Sequence, residues 1–231
     1  LVQFWCMVSG KLSIVATPIG NLQDITLRAI DALRQADVIL CEDTRVTRKM
    51  LQFFDIQKKT LSYHHHSDGK TWKAIEELLV NGKHLALVTD AGTPGVSDPG
   101  NELIARCVAH IPGVRIEPIP GPSAVVAAIS VAGFKSSSFL FLGFPPHKKR
   151  RKAFFDTVAQ SPYTVVFYES PHRIEKALSA LSLLLDPNRK ICVCRELTKK
   201  FEQIYRGTIS EIQQQQITIK GEFVVVCESI K

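Results

Sequence analysis

The densest group of side chains that could bind a ligand is the turn at residues 90–98, which reads Asp-Ala-Gly-Thr-Pro-Gly-Val-Ser-Asp. Glycine lets the backbone approach a ligand closely, proline stiffens the loop, and aspartate, threonine and serine supply hydrogen-bond donors and acceptors. Two more turns containing glycine and proline lie at residues 17–21 and 120–123. One such turn more often only connects two elements, whereas three in one half of the chain favour a site for a small polar ligand.

Familiar nucleotide and hydrolase motifs are absent from the sequence. It contains no G-x-x-x-x-G-K-[ST], no G-x-G-x-x-G and no G-x-S-x-G. The first two seat phosphates at a helix N-terminus, and the third exposes a nucleophilic serine. Their absence disfavours a nucleoside-triphosphate enzyme and a dinucleotide-dependent dehydrogenase, and it leaves no nucleophile elbow.

Basic side chains outnumber acidic ones by 29 to 22, which gives a net charge of +7 and favours an anionic partner. The strongest charge run is His-Lys-Lys-Arg-Arg-Lys at residues 147–152, directly after Phe-Pro-Pro. We expect phosphate contacts from this run, although a solvated helix face is the alternative. The predicted contacts are Lys148, Lys149, Arg150, Arg151, Lys152 and Arg45, with Arg48, Lys49, Arg173, Lys199 and Lys200 as extensions.

Three consecutive histidines at residues 64–66 raise the question of a metal site. Only the first and third share one side of an extended loop, and two histidines make a poor site, so we expect no metal.

The six cysteines include no C-x-x-C, and four of them lie in apolar runs, which favours buried, reduced thiols. No apolar run reaches about 18 residues, so no transmembrane helix is expected.

The elements that must position these residues alternate along the chain. Short apolar runs are followed by a turn and then by a capped helix. Strands are predicted at residues 12–16, 38–41, 85–89, 114–119, 139–142, 164–168, 191–195 and 223–227. Helix caps are predicted at Asp24, Asp98 and Ser170. Two predicted inner helix faces are formed by Leu27, Ile30 and Leu33, and by Leu103, Ile104, Cys107 and Val108. This alternation indicates an α/β protein with mostly parallel sheets, in which ligands bind outside the carboxyl ends of the strands.

The domain organisation follows from the same pattern. Residues 1–10 do not join it, and we expect them to be a leader or an expression remnant. The Pro-Gly-Pro region near residue 121 is the best boundary, which predicts an N-terminal α/β lobe over 11–121 and a C-terminal α/β lobe over 122–231.

Seven segments, in order between residues 11 and 228, resemble the signature blocks of the RsmI family. They are 13–26 (Ser-Ile-Val-Ala-Thr-Pro-Ile-Gly-Asn-Leu-Gln-Asp-Ile-Thr), 41–47 (Cys-Glu-Asp-Thr-Arg-Val-Thr), 89–100 (Thr-Asp-Ala-Gly-Thr-Pro-Gly-Val-Ser-Asp-Pro-Gly), 118–124 (Pro-Ile-Pro-Gly-Pro-Ser-Ala), 167–173 (Phe-Tyr-Glu-Ser-Pro-His-Arg), 195–199 (Arg-Glu-Leu-Thr-Lys) and 221–226 (Gly-Glu-Phe-Val-Val-Val). One Gly-Thr-Pro would be a weak signal, but so many ordered blocks are specific.

The resemblance implies two α/β lobes of the tetrapyrrole-methylase (class III methyltransferase) type, with a cofactor cleft between them. It implies methylation, with S-adenosylmethionine, of the 2′-oxygen of a cytidine in small-subunit (16S) ribosomal RNA. The implied partners are this RNA or the 30S subunit, in a cytoplasmic homodimer without membrane contact. The positions that match the family's cofactor contacts are Pro18, Gly92, Thr93, Pro94, Val96, Ser97, Ser123, Ala124, Leu142 and Arg195.

A ribose hydroxyl is a poor nucleophile, and a general base typically contributes about 10²–10⁴-fold to such a transfer. The candidate bases are Asp43, Glu169 and Glu196, with Glu42 as a further carboxylate near a strand end. Asp43 could instead cap a helix that starts near Thr44, and Glu169 could favour the positive end of the helix after it. The sequence singles out no base among them.

Two other functions stay open at this point. One is methylation of a tetrapyrrole by an enzyme of the same fold, and the other is a non-catalytic RNA-binding factor in ribosome assembly. The Gly-Thr-Pro loop and the basic run disfavour the first. The polar loop and the complete series of blocks disfavour the second.

Overall fold

The computed structural model describes residues 10–64 and 69–230. The chain divides into two compact units, the first ending at Ser123 and the second starting at Ala124. Each unit is built on its own five-stranded sheet. The predicted leader over residues 1–10, apart from Gly10, and two of the three histidines, His65 and His66, lie outside the described residues.

The first unit contains five strands and four helices. The strands are β1 (Lys11–Val15), β2 (Val38–Cys41), β3 (Lys59–Ser62), β4 (His84–Leu87) and β5 (Arg115–Ile119). The helices are α1 (Leu27–Gln35), α2 (Thr44–Phe53), α3 (Gly69–Val80) and α4 (Gly100–His110), with a short 3-10 turn at Leu22–Asp24. The strand order is β3-β2-β4-β1-β5, and every pair is parallel.

Helices cover both faces of this first sheet. On one face Leu12 and Leu40 pack in a core with residues of α3 and α4, such as Ile75. On the other face Val15 and Ile39 pack with residues of α1 and α2. Burial on both faces explains why the central strands β2 and β4 are largely apolar runs. Because all five strands are parallel, their carboxyl ends lie at one edge of the sheet.

The second unit contains the other five strands and four helices. The strands are β6 (Phe139–Phe141), β7 (Thr164–Glu169), β8 (Lys190–Arg195), β9 (Gln203–Thr208) and β10 (Phe223–Cys227). The helices are α5 (Ala124–Ala132), α6 (Arg151–Gln160), α7 (Ile174–Ser182) and α8 (Ile209–Gln214). Helices α6, α7 and α8 share a core with one face of the sheet, centred on Phe155, Phe167 and Phe223, and α5 contacts β7, β8 and β10.

The prediction of mostly parallel sheets is right for the first unit and wrong for the second. The order there is β6-β7-β10-β8-β9, and only β6 and β7 pair in parallel. Strand β10 is antiparallel to both β7 and β8, and β9 is antiparallel to β8. Only residues 196–202 connect β8 to β9, which is too short for the crossover of a dozen or more residues that a parallel pair requires.

Three predicted helix starts are displaced in the structure. Helix α1 is capped by Thr26 rather than Asp24, because the Thr26 hydroxyl accepts the Ala29 N–H. Helix α7 begins at Ile174, so Ser170 lies in the turn before it. Helix α4 begins at Gly100, one residue beyond the predicted start, although the Asp98 carboxylate still accepts the Gly100 N–H.

Two side chains predicted to face inward do not. Leu27 is 80% exposed and Val108 is 65% exposed. The other predicted residues do form the buried faces: Leu33 is buried in α1 beside Ala29 and Ala32, and Leu103 and Cys107 are buried in α4.

Five of the six cysteines fall within the described residues, and all five are free and buried: Cys41, Cys107, Cys192, Cys194 and Cys227. Over residues 10–64 and 69–230 there is no group of three or more His, Cys, Asp or Glu side chains that could hold a metal ion. Over the same residues, no helix combines the length and the apolar character needed to cross a membrane.

Candidate active site

The three glycine- and proline-containing turns of the first unit are joined by hydrogen bonds at the carboxyl edge of its sheet. Thr17, after β1, and Gly92, after β4, exchange two backbone hydrogen bonds with N···O distances of 2.8 and 3.1 Å. The Thr17 hydroxyl also donates to the carbonyl oxygen of Thr89 at 3.1 Å. The Thr93 hydroxyl donates to the carbonyl oxygen of Pro122, after β5, at 3.1 Å. The parallel sheet therefore assembles the three turns into one continuous surface.

The loop at residues 90–98 is held in shape by the Asp98 carboxylate. It accepts N–H groups from Gly95 at 2.8 and 2.9 Å and from Val96 at 3.2 Å. Gly95 has φ of +88°, and a Cβ there would lie 2.6 Å from Oδ1 of Asn101, so only glycine fits. Asn101 itself donates to the Gly95 carbonyl at 2.7 Å. Asp98 thus acts on the loop rather than on a ligand.

The predicted cofactor positions of the first unit divide into a buried base and an exposed rim. Pro18, Gly92 and Pro94 are buried, and Thr93 is half-buried. Val96 and Ser97 are exposed, and Ser97 has φ of +66°, a left-handed conformation that costs a non-glycine residue energy. Such strain occurs most often where a surrounding structure and a function impose it. Ser123 and Ala124, both half-buried, lie where the β5 turn meets α5.

Asp43 was predicted to be either a general base or the cap of a helix, and it does cap α2. Its carboxylate accepts the Arg45 backbone N–H at 2.8 Å and the Arg45 guanidinium Nη2 at 2.6 Å. These bonds from the Arg45 side chain and backbone lower the pKa of Asp43 to about 2. Arg45 is exposed and paired with Asp43, so its predicted role toward phosphate stays a prediction.

Asp90 belongs to the same edge and was not among the predicted site residues. Its Oδ1 accepts the backbone N–H of Asp43 at 3.1 Å, which ties the β4 loop to the start of α2. Although the residue is exposed, partial burial of its carboxyl group raises its pKa above the usual value. The available signal was its place directly after the end of a buried strand.

In the second unit, Glu169 at the end of β7 is the centre of a buried ion cluster. Its carboxylate lies 3.1 Å from Nη2 of Arg151 and 3.2 Å from Nε of Arg173, and it accepts the Ser170 N–H at 2.8 Å. The side chain of Glu169 is fully buried and those of the two arginines are 19% exposed. Arg151, predicted to contact RNA, is therefore bound within the protein, as is Arg173.

The rest of the basic run is exposed. Lys148, Lys149, Arg150 and Lys152 all lie on the surface around the start of α6, which begins at Arg151. Phe155 is buried in the core, and Phe154 is partly buried and packs against it. The four exposed cations are available to an anionic partner.

Arg195, Glu196 and Leu142 have partners inside the second unit. Arg195 is buried and donates to the carbonyl oxygens of Lys220 at 2.7 Å and Phe201 at 2.9 Å. Burial raises the pKa of Glu196, but bonds from Lys199 Nζ and the Glu222 N–H outweigh it and leave the pKa lowered. Leu142 packs against the core. Their predicted roles in cofactor binding and catalysis stay predictions.

The carboxyl group of Glu196 also explains a glycine. A Cβ at Gly221, which has φ of +88°, would overlap the Glu196 carboxyl. Glu196 itself has φ of +52°. The two segments, both among the family-like blocks, are packed directly on each other.

The chain matches the family model of the Tetrapyrrole (Corrin/Porphyrin) Methylases over residues 11–213. It is 45% identical over 222 residues to the ribosomal RNA small subunit methyltransferase I of Halalkalibacterium halodurans, a match that covers 95% of this chain and 76% of that one. The protein of the same name from Thermotoga maritima is 42% identical over 202 residues, covering 87% of this chain and 90% of the relative.

Solved structures show the same fold at much lower identity. The methyltransferase CobJ superposes with a TM-score of 0.71 at 20% identity, over 96% of this chain and 95% of that one. Uroporphyrin-III C-methyltransferase from Thermus thermophilus, solved with S-adenosylhomocysteine, superposes with a TM-score of 0.66 at 16% identity. That match covers 95% of this chain and 97% of the other. The resemblance seen in the ordered motifs is confirmed: the chain belongs to the tetrapyrrole methylase family and, within it, to the group of the ribosomal RNA small subunit methyltransferases I.

Proposed function

We propose that this protein is an S-adenosylmethionine-dependent methyltransferase of small-subunit ribosomal RNA, and that it methylates the 2′-oxygen of a cytidine ribose. The observation that carries the proposal is 42–45% identity, over most of the chain, to relatives named as methyltransferases of small-subunit ribosomal RNA. The choice of the 2′-oxygen and of cytidine rests on the resemblance of the seven sequence blocks to the RsmI family.

The joined turns of the first unit fit the donor. S-adenosylmethionine, when bound, supplies a methyl group on a sulfonium, together with an ammonium, a carboxylate and ribose hydroxyls that need polar partners. Pro18, Gly92 and Pro94 would form the apolar floor, because they are the buried part of this surface. The missing side chain of Gly92 allows close approach of a ligand to the backbone, and its φ of +82° is a conformation that favours glycine.

The rim of the same surface supplies polar groups. Thr93, Val96 and Ser97 are the proposed contacts within the loop, where the hydroxyls of Thr93 and Ser97 are the polar side-chain groups. Ser123 and Ala124, after β5, are the proposed contacts beyond it. The Asp90 carboxylate is an acceptor suited to a ribose hydroxyl or an ammonium group. From the second unit, Leu142 and Arg195 are proposed as further cofactor contacts on the resemblance alone.

Proton removal from the ribose hydroxyl is the step for which a base is needed. Each of the three candidates has a cationic partner: Arg45 for Asp43, two arginines for Glu169, and Lys199 for Glu196. A carboxylate with a pKa of about 2, such as Asp43, is a weak base at neutral pH. Asp90, with its raised pKa, is better suited to accept the proton, and we add it to the candidates.

The exposed cations around α6 are proposed as the RNA contacts. Lys148, Lys149, Arg150 and Lys152 would neutralise phosphates and release counterions, which supplies affinity without sequence preference. Arg45 is proposed as a further phosphate contact. Arg151 would instead hold the start of α6 in place through its ion pair with Glu169. The same proposal places the protein in the cytoplasm with the ribosome, and it keeps the homodimer that the family resemblance implies.

The test is incubation of the protein with methyl-labelled S-adenosylmethionine and isolated small ribosomal subunits that lack the modification. Large subunits and a porphyrinogen serve as the control substrates. The proposal predicts label in the small-subunit RNA only. Label in the porphyrinogen, or no label in RNA from folded protein that binds the donor by calorimetry, would overturn it.

A further inference from the structure

The segment between β6 and α6 carries an aromatic ring on a rigid support. Residues 143–146 read Gly-Phe-Pro-Pro. Arg173 Nη1 donates to the carbonyl oxygen of Pro145 at 3.2 Å, and Arg151 Nη1 donates to that of Pro146 at 3.3 Å. Both arginines are themselves fixed by the buried carboxylate of Glu169. The backbone around Phe144 is thus held by a buried ion cluster and by two prolines.

Phe144 itself is 53% exposed. Its ring centroid lies 5.2 Å from that of Tyr168, which in turn lies 5.0 Å from that of Phe141. The core of this unit is filled by other phenylalanines, Phe155, Phe167 and Phe223, each 2% exposed or less. Because about half of this ring is exposed to solvent, its burial contributes little to the stability of the fold, and the ring is accessible to a partner.

Positive charge follows this ring closely in the sequence. Lys148, Lys149 and Arg150 follow it by four to six residues and are exposed. Aromatic side chains beside exposed cations are the combination by which proteins bind single-stranded nucleic acid, since bases stack on the ring while cations contact the backbone. A symmetric contact with a second copy would instead bring two basic runs together, which disfavours that occupant.

We propose that Phe144 stacks against an unpaired base of the RNA substrate while Lys148, Lys149 and Arg150 contact the neighbouring phosphates. This inference rests on the proposed function. It adds to that function a residue that contacts an unpaired base, whereas the cations contact the charged phosphates. Phe144 has no place among the family-like blocks that suggested the cofactor contacts.

The experiment is a fluorescence-anisotropy titration of a labelled single-stranded RNA of about 12 nucleotides, repeated at several salt concentrations. Phe144→Ala should weaken binding about 10-fold at every salt concentration and leave the salt slope unchanged, because stacking releases no counterions. Phe144→Trp should bind like the original protein. Lys149→Ala should instead lower the salt slope by about 0.7.

Two variants control for folding and for exposed aromatics in general. Phe144→Leu keeps an apolar contact to Tyr168 and should weaken binding as Phe144→Ala does. Tyr163→Ala removes a ring that is 52% exposed just before β7, at the other end of the strand from Tyr168, and should leave binding unchanged. Unfolding midpoints of all variants establish that they are folded.

Unchanged RNA binding by Phe144→Ala and Phe144→Leu would overturn the inference, as would a change in their molar mass by light scattering, which would place Phe144 in a subunit contact. The labelling test above separates the two proposals. If the original protein methylates small subunits and Phe144→Ala binds RNA equally well, only the stacking proposal is rejected and the proposed function stands. If no methyl is transferred but Phe144→Ala still loses RNA affinity, the proposed function fails and the stacking is supported.

Discussion

Among the residues at the carboxyl edge of the first sheet, Asp90 is the proposed base that accepts the proton of the ribose hydroxyl. Asp90→Asn keeps an oxygen that can accept the Asp43 N–H, so stability should change little. If Asp90 takes the ribose proton, methyl transfer should fall about 100-fold. Initial rates of labelled methyl transfer measure this effect.

The pH profile separates a base from a merely polar neighbour. The original rate should fall on acidification as Asp90 is protonated, whereas the residual rate of Asp90→Asn should be flat over that range. Asp31→Asn, an exposed aspartate on α1, is the matched control and should behave as the original. A full rate in Asp90→Asn would remove it from the candidates.

His84 gives a second residue-scale prediction, on stability. Its Nε2 lies 2.9 Å from Oγ of Ser13, a hydroxyl that is fully buried in β1. Burial, reinforced by the nearby charge of Lys11, lowers the pKa of His84 below its ordinary 6.5. The folded protein therefore favours the neutral ring, and its free energy of unfolding should fall as the pH decreases from about 6.5 through the lowered pKa.

Urea denaturation between pH 8 and pH 5 measures this dependence. The free energy of unfolding of His84→Gln should vary less with pH than that of the original protein, since glutamine can bond to Ser13 but does not titrate. Identical pH profiles for the two proteins would show that His84 is not the group responsible.

At the scale of elements, helix starts are set by local hydrogen bonds that can be removed one at a time. The Thr26 hydroxyl accepts the Ala29 N–H at 3.1 Å and caps α1. Thr26→Ala should lower the free energy of unfolding by about 1 kcal/mol, and Thr26→Ser should restore most of it. Equal stability of the two variants in urea would contradict the cap.

The Glu169 cluster connects three elements, β7, α6 and α7. Glu169→Ala leaves Arg151 and Arg173 without their shared buried carboxylate and should cost about 3–5 kcal/mol in the free energy of unfolding. Glu175→Ala, an exposed change on α7, should stay within about 0.5 kcal/mol. A cost for Glu169→Ala as small as that of the control would show that the cluster does not stabilise these elements.

Elements differ in how far the sequence predicts them. The apolar runs predict β2 and β10 with the bounds that the structure shows, because these strands are buried along their whole length. Strands β3 (Lys-Thr-Leu-Ser) and β9 (Gln-Ile-Tyr-Arg-Gly-Thr) carry no such signal, since they are mostly half-buried or exposed and contain no continuous apolar run. A short strand with one or two apolar residues leaves little trace in the hydrophobic pattern.

At the scale of the whole molecule, strand order and long-range pairs lie beyond what periodicity can predict. The insertion of β10 between β7 and β8 joins segments more than 50 residues apart in one case, and no local pattern encodes it. The candidate site shows the same division. The three turns could be placed together because parallel strands end at one edge, whereas the pairing of Glu169 with Arg151 depends on tertiary packing.

The proposed roles of all these residues depend on one reaction, the transfer of a methyl group from S-adenosylmethionine to a ribose of small-subunit RNA by the folded chain. The most direct measurement is mass spectrometry of nucleosides from small-subunit RNA after reaction with isotopically labelled donor. We expect the label to be recovered in 2′-O-methylcytidine. Label recovered on a base, or RNA left unlabelled by folded, donor-binding protein, would contradict it.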